Sequence, residues 1–98
     1  MSSEILFFSI LIPSYNRPDE LRRCINSIIL GSFQDYEIII SDDNSPKKDE
    51  IETVVKSFGS AGKIRFYQQA SNLKEPGNKN FLVNQARGKF NIVLGDDD

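Results

Sequence analysis

Four short apolar runs, separated by three stretches with helical spacing, constrain this chain more than any other feature. Phe7-Phe8-Ser9-Ile10-Leu11-Ile12 is a compact run closed by Pro13 and reads as a buried strand. Pro18 suits a first helical position, with Asp19 and Glu20 near the positive end of the helix dipole. Leu21, Cys24, Ile25, Ile28 and Ile29 then form one apolar face, and Gly31 is a stop. A second strand follows over Tyr36-Glu37-Ile38-Ile39-Ile40-Ser41. Ser45-Pro46 reads as a cap and a first position for a helix carrying Ile51, Val54, Val55 and Phe58, broken by Gly59 to Gly62. Ile64 to Tyr67 is the third strand, Gln68 to Pro76 a polar loop, and Asn78 to Ala86 the third helix. Gly88 ends that helix, and Phe90 to Leu94 reads as a fourth, buried strand.

The order β-α-β-α-β-α-β predicts an α/β fold with a mostly parallel four-stranded sheet and helices on both faces. Right-handed crossovers fix most of its topology. Ligands of such sheets bind at the carboxyl ends of the strands, near the point where strand order reverses. The unusual chemistry of this chain falls at those ends. Pro13-Ser14-Tyr15-Asn16-Arg17 follows the first strand, Asp42-Asp43-Asn44-Ser45 the second, the loop after Tyr67 the third, and Gly95-Asp96-Asp97-Asp98 the fourth.

Each segment has a plain reading beside a functional one. Tyr15 either packs on its own helix or stacks on a nucleobase. Asp42 and Asp43 either make an Asx turn, with Ser45 as a cap, or accept hydrogen bonds from a base or ribose. Asp96, Asp97 and Asp98 are either an acidic surface turn or frayed terminus, or a set of hard oxygen ligands. Adjacent carboxylates repel and are reconciled by a cation, for which Mg²⁺ or Mn²⁺ is suited.

Composition removes several alternatives. The 98 residues amount to one domain or part of one, and 39% hydrophobic with 27% charged residues fits a globular chain. Histidine is absent, which excludes Ser-His-Asp and Cys-His catalysis and His-ligated zinc. Cys24 is the only cysteine, so no internal disulfide forms, which fits a reducing compartment. A net charge of −2 without a long basic block argues against a general nucleic-acid grip. No apolar stretch approaches the roughly 20 residues of a membrane span, and Met1-Ser2-Ser3-Glu4 lacks the basic start of a secretory signal. No Gly-x-Gly-x-x-Gly follows the first strand, which disfavours a dinucleotide-binding fold.

Taken in order, the motifs resemble the family-2 nucleotide-sugar glycosyltransferases of inverting type and GT-A fold. Pro13, Tyr15, Asn16 and Arg17 match a Pro-x-Tyr-Asn-Arg segment, and Asp42, Asp43, Asn44 and Ser45 an Asp-Asp-(Gly/Asn)-Ser segment. Lys79-Asn80-Phe81-Leu82-Val83 is similar to an Arg-Asn-x-Gly-Ile helix start, with lysine for arginine. Ala86-Arg87-Gly88-Lys89-Phe90-Asn91-Ile92 resembles the family's approach to its metal motif, and Asp96-Asp97-Asp98 its Asp-x-Asp. Gly95 stands where a further aspartate falls in one register of that motif.

The resemblance implies a Rossmann-like half of a GT-A fold spanning residues 1–98, a donor-binding half-domain truncated at the metal motif. It implies nucleotide binding by Pro13, Tyr15, Asn16, Arg17, Asp42, Asp43, Lys79 and Asp97, and metal binding by Asp96 and Asp98. The cofactor is then Mn²⁺ or Mg²⁺. The donor is a nucleotide-sugar, a UDP-sugar by the family's tendency, and the acceptor a saccharide or lipid-linked acceptor in cell-surface polysaccharide synthesis. The general base is expected beyond Asp98, so the 98-residue chain is expected to be inactive alone. The expected setting is the cytoplasm or the inner membrane face. An uncovered sheet edge after the fourth strand leads to an expectation of self-association. A non-catalytic nucleotide-binding or assembly module of the same fold is the alternative. A flavodoxin-like response domain also sets acids at strand ends, but the paired Pro-x-Tyr-Asn-Arg and Asp-Asp-Asn-Ser segments favour the glycosyltransferase.

Overall fold

The computed structural model describes residues 7–32, 34–59, 61 and 63–95. The elements are β1 (Phe8–Ser14), α1 (Pro18–Ile29), β2 (Tyr36–Asp42), α2 (Lys48–Ser57), β3 (Ile64–Gln68), α3 (Lys74–Gln85) and β4 (Phe90–Val93). They form one four-stranded sheet in the order β3-β2-β1-β4. All three pairings are parallel, as expected from the apolar runs.

Side-chain alternation divides the core between the two faces. Ile10 and Ile12 of β1 and Tyr36, Ile38 and Ile40 of β2 meet Leu21, Cys24 and Ile25 of α1 and Ile51, Val54 and Val55 of α2. The opposite face is thinner, built on Leu11, Ile39 and Leu82 of α3. Among the described residues, no helix is long and apolar enough to cross a membrane.

The structure corrects four expectations of detail. β1 does not close at Pro13 but runs to Ser14. Phe90 N–H and Leu94 N–H donate to the backbone oxygens of Phe7 and Leu11, so odd-numbered β1 residues turn their backbone groups towards β4. Pro13 falls on that side, two residues beyond the last β1–β4 pair, Leu11 with Val93, and its missing N–H leaves the ladder to β2 intact. α2 begins at Lys48, without a side-chain cap. The buried Ser45 is instead turned back by its own N–H, which donates to Asp42 Oδ2 at 3.4 Å. α3 begins four residues earlier than expected, at Lys74. Pro76 is tolerated because it occupies the first turn, where an N–H has no intrahelical acceptor.

The fourth correction concerns β4, which is an exposed edge and not a buried strand. Phe90 is 49%, Ile92 36% and Val93 40% exposed. Among the described residues it pairs with β1 alone, whereas α3 packs on β1 and β2 and the larger core draws on β1, β2 and β3.

A polar network replaces apolar packing beside the small core. Glu37, 5% exposed, accepts from Ser9 Oγ at 2.5 Å and from the Arg87 N–H at 2.7 Å through Oε2. Its Oε1 accepts from the Arg65 guanidinium at 2.9 Å. Arg65 also donates to Tyr67 Oη and to the backbone oxygen of Gln85, and the Gly88 N–H donates to Ser9 Oγ at 2.6 Å. The loop entering β4 is thereby pinned to β1 and β2. Gly88 lies so close that a Cβ there would stand 2.6 Å from the backbone of Phe8 and Ser9.

Burial pushes the Glu37 carboxyl up, but the bonds from Ser9, Arg87 and Arg65 outweigh it and hold the group below its ordinary value. A depressed folded pKa stabilises the fold above the unfolded value, near 4.3, and that contribution is lost as pH falls through the folded one. Glu37→Ala, which removes the carboxylate partner of Arg65, is expected to cost about 3 kcal/mol in urea unfolding. Glu37→Gln is expected to cost less and to flatten the acid limb of the wild-type stability profile. An unchanged acid limb in Glu37→Gln would contradict the network.

Candidate nucleotide-binding cleft

The strand order β3-β2-β1-β4 reverses at β1, since successive crossovers lead from β1 to β2 and β3 and the last returns to the far side of β1. Backbones diverge above such a point and leave a crevice at the carboxyl ends. A cleft of about 530 Å³ lies there, lined by Pro13, Ser14, Tyr15, Arg17, Asp43, Asn72, Lys74, Glu75, Asn78 and Gly95. All four strand ends or the loops after them contribute, and the size suits a small organic ligand.

Asp43 organises the lining. Its N–H donates to the Ser14 backbone oxygen at 3.0 Å, extending the β1–β2 ladder by one bond. Its Oδ1 accepts from the Leu73 N–H at 2.6 Å, and its backbone oxygen accepts from Asn72 Nδ2 at 3.2 Å. Asn72 Oδ1 in turn accepts from the Lys74 N–H at 2.9 Å. Asp43 thus fixes the loop that leads into α3 across the cleft, through its carboxylate and its backbone oxygen.

The backbone is strained around this opening. Asn16, Asn44 and Lys74 have φ of 60°, 59° and 66°. Asparagine adopts this left-handed region readily, whereas lysine pays of order 1 kcal/mol or more. Such strain collects at functional sites, and Lys74 sits where α3 begins against the cleft.

Four of the residues singled out from sequence, Pro13, Tyr15, Arg17 and Asp43, come together in the lining. Asn16 is half-buried beside them, with Oδ1 lacking a hydrogen-bond partner among the described residues. Asp42 is fully buried and outside the lining. Lys79 is exposed on α3 and outside the lining, and Lys74 is the lysine that α3 brings to the cleft. Asp96, Asp97 and Asp98 lie outside the described residues. Among the described residues no cluster of His, Cys, Asp or Glu is placed to hold a metal ion.

Sequence reasoning put Ser14, Gly95 and the loop after Tyr67, which holds Asn72, Lys74 and Glu75, at the strand ends without giving them a binding role, and it missed Asn78. The signal available was the polar density of Asn72 to Asn78, hidden because the helix start was set four residues late.

Burial raises the Asp42 carboxyl above its ordinary value, with bonds from Ser45 offsetting part of the shift. A raised folded pKa means that the charged form opposes folding, a cost fully present above the folded value and relieved as pH falls through it. Asp42→Asn is therefore expected to raise the thermal midpoint at pH 7, with the gain shrinking towards pH 4. A lower midpoint at pH 7 would show that the carboxylate makes a compensating bond.

The chain matches the model of Glycosyl transferase family 2 over residues 9–98. It belongs to that family, with a Rossmann-like GT-A half-fold corresponding to the N-terminal, nucleotide-binding half of such enzymes. Over 92 residues it is 38% identical to the GalNAc(5)-diNAcBac-PP-undecaprenol beta-1,3-glucosyltransferase of Campylobacter jejuni, covering 92% of this chain and 29% of that protein. The structure of Staphylococcus aureus TarS 1-349 in complex with UDP superposes with a TM-score of 0.85 at 25% identity, over 94% of this chain and 28% of that one. A mannosyltransferase from Pyrobaculum calidifontis in complex with GDP-Man and Mn²⁺ superposes with a TM-score of 0.83, over 95% of this chain and 28% of that one. At 13% identity that likeness is one of fold. The chain spans less than a third of the length of each of these proteins.

Proposed function

We propose that the cleft binds the nucleotide of a nucleotide-sugar donor, in an enzyme that transfers the sugar to a saccharide or lipid-linked acceptor in cell-surface polysaccharide synthesis. The observation that carries this reading is the convergence of Tyr15, Arg17, Asp43 and Lys74 on one cleft at the sheet's switch point. It draws support from TarS, solved with UDP, and from the Campylobacter jejuni relative, whose acceptor is named as an undecaprenol-linked saccharide.

Each lining group has a chemical task in this reading. The half-exposed Tyr15 ring and Pro13 offer an apolar wall for a base, worth roughly 1–3 kcal/mol for an aromatic stack. Asp43, already oriented by Leu73 and Asn72, accepts from the base or ribose. Arg17 and Lys74 are the cations that face the diphosphate, Arg17 with the planar fork that grips phosphate oxygens in pairs. The cleft carries no histidine and no cysteine. Oxygen donors alone suit a hard divalent ion, Mn²⁺ or Mg²⁺.

The fit to such an ion rests on β4. Gly95 lines the cleft, and the acidic run Asp96-Asp97-Asp98 begins one peptide bond later. In the proposed assignment Asp96 and Asp98 hold the metal and Asp97 faces the nucleotide. A bound divalent ion neutralises charge on the departing nucleoside diphosphate. The proposed setting is the cytoplasmic side of the membrane that carries a lipid-linked acceptor.

Calorimetric titration with UDP, in Mn²⁺ and again in EDTA, tests the reading. The wild-type chain is expected to bind in Mn²⁺ and at least about tenfold more weakly in EDTA. Asp43→Ala, shown to be folded by circular dichroism, is expected to lose at least about tenfold in Mn²⁺, the scale of a lost charge-assisted hydrogen bond. A folded variant that binds as the wild type does would remove Asp43 from the site.

A further inference from the structure

Asn78 is a buried side chain with an unused acceptor. It is 2% exposed, and its Nδ2 donates to the Ser41 backbone oxygen at 3.0 Å. That bond sets the amide, because a flipped side chain would place oxygen against oxygen. Oδ1 is therefore the free end, and among the described residues it has no hydrogen-bond partner. Asn78 also lines the cleft, with Pro13, Tyr15 and Asp43.

A buried acceptor left open costs stability, and side chains this buried nearly always find a partner in protein, ligand or bound water. An unpaired acceptor on a residue of the cleft wall can also act as a selectivity device. A ligand with a matching donor satisfies it, and one without leaves it unpaired and binds poorly. One N–H of Nδ2 is committed to Ser41, and Oδ1 itself can only accept. Oδ1 therefore does not pair with the diphosphate, whose oxygens are acceptors too. The donor groups that remain on a nucleotide-sugar are the N–H of the base and the O–H groups of the ribose and of the sugar. Asn78 is anchored to Ser41, two residues before Asp43, and in the proposed reading Asp43 takes the base or ribose, which favours the nucleoside over the sugar.

We propose that Asn78 Oδ1 is a specificity contact for the nucleoside of the donor, accepting one hydrogen bond from a base N–H or a ribose hydroxyl. The inference rests on the reading of the cleft as a donor site and adds a residue that no sequence motif marks.

The test compares UDP, N3-methyl-UDP, 2′-deoxy-UDP and 3′-deoxy-UDP on the wild-type chain and on Asn78→Ala, all in Mn²⁺. Against one analogue the wild type is expected to lose about tenfold or more, the scale of one buried acceptor left unpaired. That analogue identifies base or ribose as the source of the donor. Asn78→Ala is expected to weaken UDP by a similar factor and to bind the same analogue no worse than UDP. If the variant binds UDP as the wild type does, or keeps the full wild-type ranking, Oδ1 is satisfied by a bound water and the inference fails. A folded wild-type chain that binds no UDP overturns the donor reading itself, which separates the two failures. Should Asn78→Ala not fold, the ¹³Cγ resonance of Asn78 in the wild-type chain gives the same answer. It is expected to move on saturation with UDP and to stay in place with the discriminated analogue, and no movement with UDP overturns the proposal.

Discussion

One buried carboxylate holds the architecture of the cleft together. Glu37 lies in the middle of the sheet with almost no access to water, where an unpaired charge would cost several kcal/mol. It is satisfied from three directions at once: Ser9 on β1, Arg65 on β3 and the Arg87 N–H at the entry to β4. Removing any one partner returns part of the burial cost. The sheet is therefore tied across its width by hydrogen bonds on the face where apolar packing is thinnest. β4 needs this tie most, since it is a four-residue edge strand with exposed side chains.

What this tie positions is the far end of the same strands. β4 stays in register with β1 from Phe8–Phe90 to Leu11–Val93, and the Leu94 N–H still donates to Leu11. Gly95 consequently arrives in the wall of the cleft beside the residues that follow β1. On the other wall Asp43 does comparable work, holding Asn72 and Leu73 so that α3 starts against the opening. The site is set by strand ends and by two polar anchors, with Lys74 in a costly conformation at the start of α3.

Much of this was legible in the sequence, for definite reasons. The four apolar runs gave the strands because each is short and bounded by breakers, and their alternation with helical spacing gave the parallel sheet. The position of the candidate site followed from the parallel sheet, since polar segments at the carboxyl ends have only one crevice to share. The polar network was less visible. Ser9, Glu37 and Arg65 are each a lone polar residue inside an apolar run, but which ones meet depends on register across three strands. α3 was set late because Pro76 and Gly77 read as loop, although proline is harmless in a first turn. β4 was read as buried because its composition is apolar, yet burial is decided by what packs on a strand.

Backbone amide chemical shifts offer the most direct test that these strand ends form one nucleotide site. The chain would be titrated with UDP in Mg²⁺, which unlike Mn²⁺ does not broaden the spectrum. The account predicts a single set of moving resonances from Tyr15, Arg17, Asp43, Asn72, Lys74 and Gly95, with Gly59 and Ala61 at the opposite ends of the strands unchanged. Shifts confined to β4 and its apolar edge, or spread evenly over the chain, would contradict it.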